Sequence, residues 1–340
     1  MSVPLWAWAV TLTGIGALVA LDLRHARSPH EVKFREALRW SLIYIAAAIA
    51  FGIVLGVTAG AHHATEFFAG YLVEESLSID NLFVFAVILG RFAVPSRHRQ
   101  RILLIGIVGA LVLRAAFIAV GAAMIERLTF TFVIFGAFLI YTAIQLLRTQ
   151  GETKEDVGET RAVRLLRRVM PVTSDGPDGA LVVKHNGRRA ATPLLVATVA
   201  ILSVDIVFAM DSIPAIFGIT HTPYLVFTAN AFALLGLRAL YFLVVGLLDR
   251  LVHLHYGLAV VLSFIGVKLM LHYLHTVNDA VPEISTLVSL AVVVTVLAAT
   301  TVTSLRASRE SRDAQPDRED REVSTSASGS SRYSASAKAE

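Results

Sequence analysis

The chain contains no cysteine. Disulfides, thiolate metal sites and dithiol redox chemistry carried by this chain are therefore excluded. Charge is scarce as well: 16% of the 340 residues are Asp, Glu, Lys or Arg, against about 25% in a soluble domain. No His-Glu-x-x-His, P-loop or glycine-rich nucleotide signature occurs. No serine has a histidine base in a triad pattern. The sequence thus predicts a protein that is not an enzyme and has no resident cofactor.

What remains is apolar. Hydrophobic residues make up 55% of the chain and the mean hydropathy is +0.66, the balance of an all-α polytopic membrane protein. Runs of about 20 apolar residues predict nine spanning helices, at roughly 3–23, 40–59, 67–90, 102–124, 129–147, 193–213, 224–247, 256–274 and 286–305. The first run lacks a basic n-region and is not followed by a small-x-small cleavage site, so it reads as a helix rather than a signal peptide.

The pI near 9.5 does not point to nucleic acid, because the basic residues alternate along the chain as a topology signal. The segments 24–39, 91–101, 148–192 and 248–255 and the tail from 306 hold 26 of the Lys and Arg residues. The opposite side holds only Arg127. Nine spans with the N-terminus outside and the C-terminus inside satisfy this alternation. The transmembrane domain is expected over 1–305, interrupted by a cytoplasmic loop at 148–192. That loop carries a short basic amphipathic stretch, RAVRLLRRVM, at 161–170, which reads either as a surface helix on anionic headgroups or as a solvated linker. The tail, 306–340, is rich in Ser, Ala, Arg and Glu and predicts disorder.

A repeat runs through the apolar part. Leu77-Ser78-Ile79-Asp80 recurs as Leu202-Ser203-Val204-Asp205, and Leu111-Val112-Leu113-Arg114-Ala115 as Leu235-Gly236-Leu237-Arg238-Ala239, at offsets of 125 and 124. Gln145 falls opposite Lys268 at a similar offset. Spans 3–5 and 6–8 therefore read as two copies of a three-helix unit. The third span runs inward and the sixth outward, so the copies are inverted, as in many secondary transporters.

The charges well inside the spans are Glu74, Glu75, Asp80, Asp205 and Asp211, with Arg114, Arg238 and Lys268. Each costs roughly 2.5–3.5 kcal/mol when isolated at the bilayer centre, so they must compensate one another or face water. The set, fully ionised, has a net charge of −2, which one divalent cation would neutralise. At helical spacing Glu74, Ser78 and Asn81 share a face, as do Asp205, Ala209 and Ser212. Glu74 and Asp80 are six apart, as are Asp205 and Asp211, which points each pair about 120° apart on a regular helix. Either they line two sides of a cavity or the helix is broken, and Pro214 removes a backbone donor nearby. Carboxylate, amide and hydroxyl oxygens suit Mg²⁺, Ca²⁺ or Mn²⁺; Met210 could add a sulfur or simply pack. Arg114 and Arg238 read as orienting the acids. His62 and His63 beside Glu66 read as interfacial groups or as a metal hand-off point.

The stretches GYLVEESLSIDNLFVF (70–85), SVDIVFAMDSIPAI (203–216) and TANAFALLGLRALYF (228–242) resemble the TerC family of integral membrane proteins. The resemblance covers about 40–305. It implies a fold like the LysE-type transporter superfamily and a role in metal-ion homeostasis, with Mn²⁺ export in several relatives, tellurium resistance in the family name and a redox modulator in one branch. Carried over, the family's acidic positions fall on Glu74, Asp80, Asp205 and Asp211, with Asn81 and Ser212 beside them; Glu75, Ser78, Arg114, Arg238 and Lys268 stand as supporting residues. The resulting expectation is a proton-coupled Mn²⁺ exporter of a bacterial inner membrane with a midplane carboxylate site, whose partners are the lipid bilayer, a divalent cation and protons. Two rivals remain: a scaffold or assembly factor in tellurite or envelope-stress resistance, and a redox modulator acting through a partner. A homo-oligomer and a resistance-protein partner both stay open.

Overall fold

The computed structural model describes residues 3–25, 32–128, 130–148, 160–173, 179–185, 188–244, 254–278 and 280–313. They form the helices α1 (Leu5–His25), α2 (Phe34–Ala59), α3 (Ala61–Arg91), α4 (Ser96–Arg127), α5 (Thr131–Arg148), α6 (Arg161–Val169), α7 (Pro193–Phe217), α8 (Pro223–Val244), α9 (Leu254–Val277) and α10 (Thr286–Asp313). A hairpin of β1 (Val182–His185) and β2 (Arg188–Ala191) precedes α7. Eight of the helices are long and apolar enough to cross a membrane. At 31 residues α3 has the length, but every span-length window of it includes at least three charged residues.

The packing places α8 at the centre, with 89% of its span buried. α3 packs on α8, α4 on α7, and α5 on α9, while α4 meets α8 and α3 meets α7. Small residues permit the closest approaches, as in membrane bundles generally. A Cβ on Gly136 would lie 2.7 Å from the Gly266 carbonyl oxygen, and one on Gly266 would lie 2.8 Å from that of Gly136, so α5 and α9 touch backbone to backbone. Ile201 and Leu202 of α7 sit over Gly106 and Gly109 of α4. The turn from α2 into α3 needs Gly60, whose φ is +102°. Leu5, Trp6, Val10, Ile43, Ile53 and Val57 of α1 and α2 are exposed, an apolar surface of the kind lipid covers.

Three expectations are refined. α7 runs unbroken through Pro214, so the helix is not interrupted between Asp205 and Asp211. α10 extends beyond 305 to Asp313, and 314–340, most of the expected tail, lies outside the described residues. The loop 148–192 is not merely a linker. Thr160 caps α6, accepting from the Val163 N–H at 3.3 Å, and the fully buried Val163 joins a core cluster with Leu82, Phe85, Ile102 and Val196. Burying that one valine, with Val183, Ala190 and Ala191 of the hairpin, gives the segment an apolar anchor that its arginine content hides.

Candidate functional site

The charges converge on one residue. Arg114, in the middle of α4, is fully buried. Its Nη1 donates to Glu74 Oε1 of α3, to Ser212 Oγ of α7 at 3.1 Å and to Asn230 Oδ1 of α8 at 3.2 Å. Its Nε and Nη2 donate to the two carboxylate oxygens of Asp205 at 3.3 and 3.0 Å. A planar guanidinium suits this role because its fixed fork of donors can reach several acceptors at once. Asp205 and Ser212 meet the same arginine because they lie seven residues apart on the continuous face of α7. The other oxygen of Glu74, the Ser78 hydroxyl and the Asn230 amide nitrogen are buried without a partner among the described residues. The hub thus sets two acidic side chains against one guanidinium.

Asp211 points elsewhere, as six residues of unbroken helix dictate. It lines a cavity of about 250 Å³ with Asn81, Thr142, Gln145 and Phe208. The cavity sits at the last turns of α5 and the first turns of α9. Asp211 is within electrostatic range of Glu74 and Arg114, which links this cavity to the hub. Met210 is half exposed and does not line it. The side chain of Asp80 lies outside the described residues. Glu75 turns toward α8, its Oε1 3.8 Å from where a Cβ on Gly236 would sit.

Past the C-terminal end of α7 and along the last turns of α9 a second cavity, about 580 Å³, is lined by His62, Glu66, His221, Lys268, His272 and Glu283 among others. Glu66 meets His63 at 2.9 Å, Glu283 meets His272 at 2.8 Å, and the His221 and His272 rings are 4.6 Å apart. His221 opens to this vestibule. The protein crowded round it, and then His272, hold its imidazole below the usual histidine range.

The structure therefore brings Glu74, Arg114, Asp205 and Ser212 together, sets Asn81 and Asp211 in the first cavity, and separates Arg238 and Lys268 from both. Lys268 lines the vestibule. Arg238, which the sequence reading pairs with Arg114, bonds Asp22 of α1 at 2.5 Å, with the Tyr44 phenol beside the pair. Asp22 and Asn230 are the residues that sequence reasoning missed. The signal for Asp22 was the buried Arg238 itself, which needed a counter-charge that no acid of its own span supplied. Among the described residues, no group of three His, Asp or Glu side chains is arranged to hold a metal ion.

A bundle of apolar helices around a buried arginine–carboxylate hub, with a cavity toward each end, defines an integral polytopic membrane protein. Residues 59–312 match the Integral membrane protein TerC family, and the chain belongs to it. It is 46% identical over 298 residues to the uncharacterized membrane protein Rv2723 of Mycobacterium tuberculosis (strain ATCC 25618 / H37Rv), covering 84% of this chain and 75% of that one. Over 264 residues it is 42% identical to the membrane protein STKORF319 of Myxococcus xanthus, covering 77% and 82%. Over 275 residues it is 36% identical to Alx of Escherichia coli (strain K12), named as a proposed membrane-bound redox modulator, covering 78% and 85%. No solved structure matches the chain.

Proposed function

We propose that this chain is a secondary transporter that exports divalent cations, foremost Mn²⁺, in exchange for protons. The observation that carries the reading is the placement of Asp211 and Asn81 in a cavity within electrostatic range of a hub whose carboxylates, Glu74 and Asp205, are held by a cation built into the chain, Arg114. The donors available around that cavity and hub are carboxylate, amide and hydroxyl oxygens, which suit a hard divalent cation. Arg114 stands where such a cation would bind. A divalent ion entering beside Asp211 competes with the guanidinium for Glu74 and Asp205. The buried oxygen of Glu74 and the Ser78 hydroxyl, which lack partners among the described residues, are further donors for it. Once the ion leaves, a carboxylate takes up a proton, which it gives up again when the next ion binds, and that exchange couples the two flows.

In this reading α3 is a ninth span, the N-terminus is outside and the C-terminus inside. The helices α3–α5 and α7–α9 are inverted repeats. Support comes from the packing, which keeps its pattern when α3 and α7, α4 and α8, and α5 and α9 are exchanged. Further support comes from Gln145 and Lys268, repeat partners that line the two cavities at opposite ends of the bundle. Inverted repeats with a site between them are the architecture of alternating access.

One observation favours a second reading. The folded α6–hairpin cap could serve as the docking face of a scaffold in tellurite or envelope-stress resistance. The redox role in the name of Alx would have to run through a partner here, because this chain has no cysteine. The test is the Mn²⁺ content of cells carrying wild type, Asp80→Asn or Asp205→Asn after a Mn²⁺ load. Wild type should lower it and both variants should fail. Variants that clear Mn²⁺ as well as wild type would sink the transporter reading.

A further inference from the structure

We propose that α6 and the hairpin form a binding surface for anionic lipid headgroups. The described residues between α5 and α7 carry seven cations, Arg161, Arg164, Arg167, Arg168, Lys184, Arg188 and Arg189, and no Asp or Glu. All seven are exposed. Charge alone would only mark the inner side of the membrane. The second observation is what accompanies it: Leu165 is 62% exposed and Val169 74%, with Val172 and Val182 also exposed. At about 100° per residue, Arg164, Arg168 and Arg161 form one strip along α6, and Leu165 and Val169 form the strip beside it. The opposite face is anchored by Val163, which is fully buried against α3, α4 and α7.

The position fits a bilayer surface. β2 ends at Ala191, two residues before α7 begins at Pro193, and Arg101, in the first turns of α4, donates to the Gly179 carbonyl oxygen at 3.2 Å. The module is thus fastened where two membrane helices begin. Guanidinium groups pair with phosphate, while aliphatic side chains beside them enter the headgroup–acyl boundary, as interfacial helices do. A soluble polyanion would engage the arginines and leave Leu165 and Val169 in water, so lipid is the occupant that uses the whole face. Because α6 packs on α7, headgroup binding bears on the helix that carries Asp205 and Asp211.

The cysteine-free chain allows a single label. Full-length Leu165→Cys carrying a bimane is reconstituted in vesicles of phosphatidylcholine alone or mixed with phosphatidylglycerol, with brominated acyl chains as quencher. Quenching should appear in the anionic vesicles and fall away with added salt. Each arginine removed should weaken headgroup binding roughly fivefold, so the triple variant R161Q/R164Q/R168Q should abolish the quenching. Equal quenching in both lipids, or no dependence on salt, overturns the proposal. So does the same spectral shift induced by soluble polyphosphate in phosphatidylcholine vesicles, which would identify a soluble anion instead. The salt titration needs no arginine variant, so the test survives if the triple variant fails to fold.

Discussion

Replacing Arg114 by methionine is the sharpest perturbation the hub offers. It keeps an unbranched apolar stem and deletes the guanidinium that reaches Glu74, Asp205, Ser212 and Asn230. Glu74 is then a carboxylate at 0% exposure and Asp205 one at 1%, both without their counter-charge. Breaking a buried pair in this way costs about 3–5 kcal/mol, much of it the penalty for the charge left behind. Thermal unfolding in detergent, followed by size-exclusion fluorescence, should fall by on the order of 10 °C. The charge-matched variant E74Q/R114M/D205N removes the stranded acids and should recover most of the loss. An R114M midpoint equal to wild type would refute the claim that the guanidinium holds these helices together. A triple variant as unstable as R114M would show that the packing of the side chain matters, not its charge.

Other outcomes follow from the same geometry. Asp22→Asn should lower the unfolding midpoint because it leaves Arg238, 3% exposed, without its counter-charge, and D22N/R238M should recover part of the loss. Gly136→Ala should cost about 1–3 kcal/mol, since its Cβ would meet a backbone oxygen of α9 that cannot rotate away; the unfolding midpoint reads it. Asp211→Asn should abolish cation transport yet leave the midpoint near wild type, because Asp211 faces a cavity rather than an ion-pair partner. His221 has its folded pKa held down, so the unfolded chain takes up the proton first and stability is lost as pH falls below the ordinary histidine range. His221→Gln should flatten that acid limb by a small amount, since the vestibule admits water, and a midpoint series from neutral to mildly acidic pH measures it.

Much of the framework was legible in the apolar runs, because bilayer thickness sets their length. The acids of α3 and α7 were legible because charge is rare in such runs, and the single face shared by Asp205 and Ser212 followed from helical spacing. Spacing could not say which acid meets which arginine. That depends on how α4 crosses α7, which close contacts at Gly106 and Gly109 decide. Asp22 was hidden by its sequence neighbours: it lies two residues before the basic stretch that starts at Arg24 and reads as its flank. Asn230 was visible within the resemblance but carries no charge to draw attention. The α6–hairpin fold was hidden for the opposite reason, since a single buried valine among arginines gives little periodic signal.

The proposed function requires the Arg114 hub and the Asp211 cavity together to carry a divalent cation. The measurement that tests it most directly is Mn²⁺ flux into proteoliposomes of purified protein under an imposed pH gradient, comparing wild type with Asp205→Asn. Wild type should move Mn²⁺ in a gradient-dependent way and the folded variant should move none. Folded wild-type protein that moves no Mn²⁺ in either gradient direction, or a variant that moves it equally well, would contradict it.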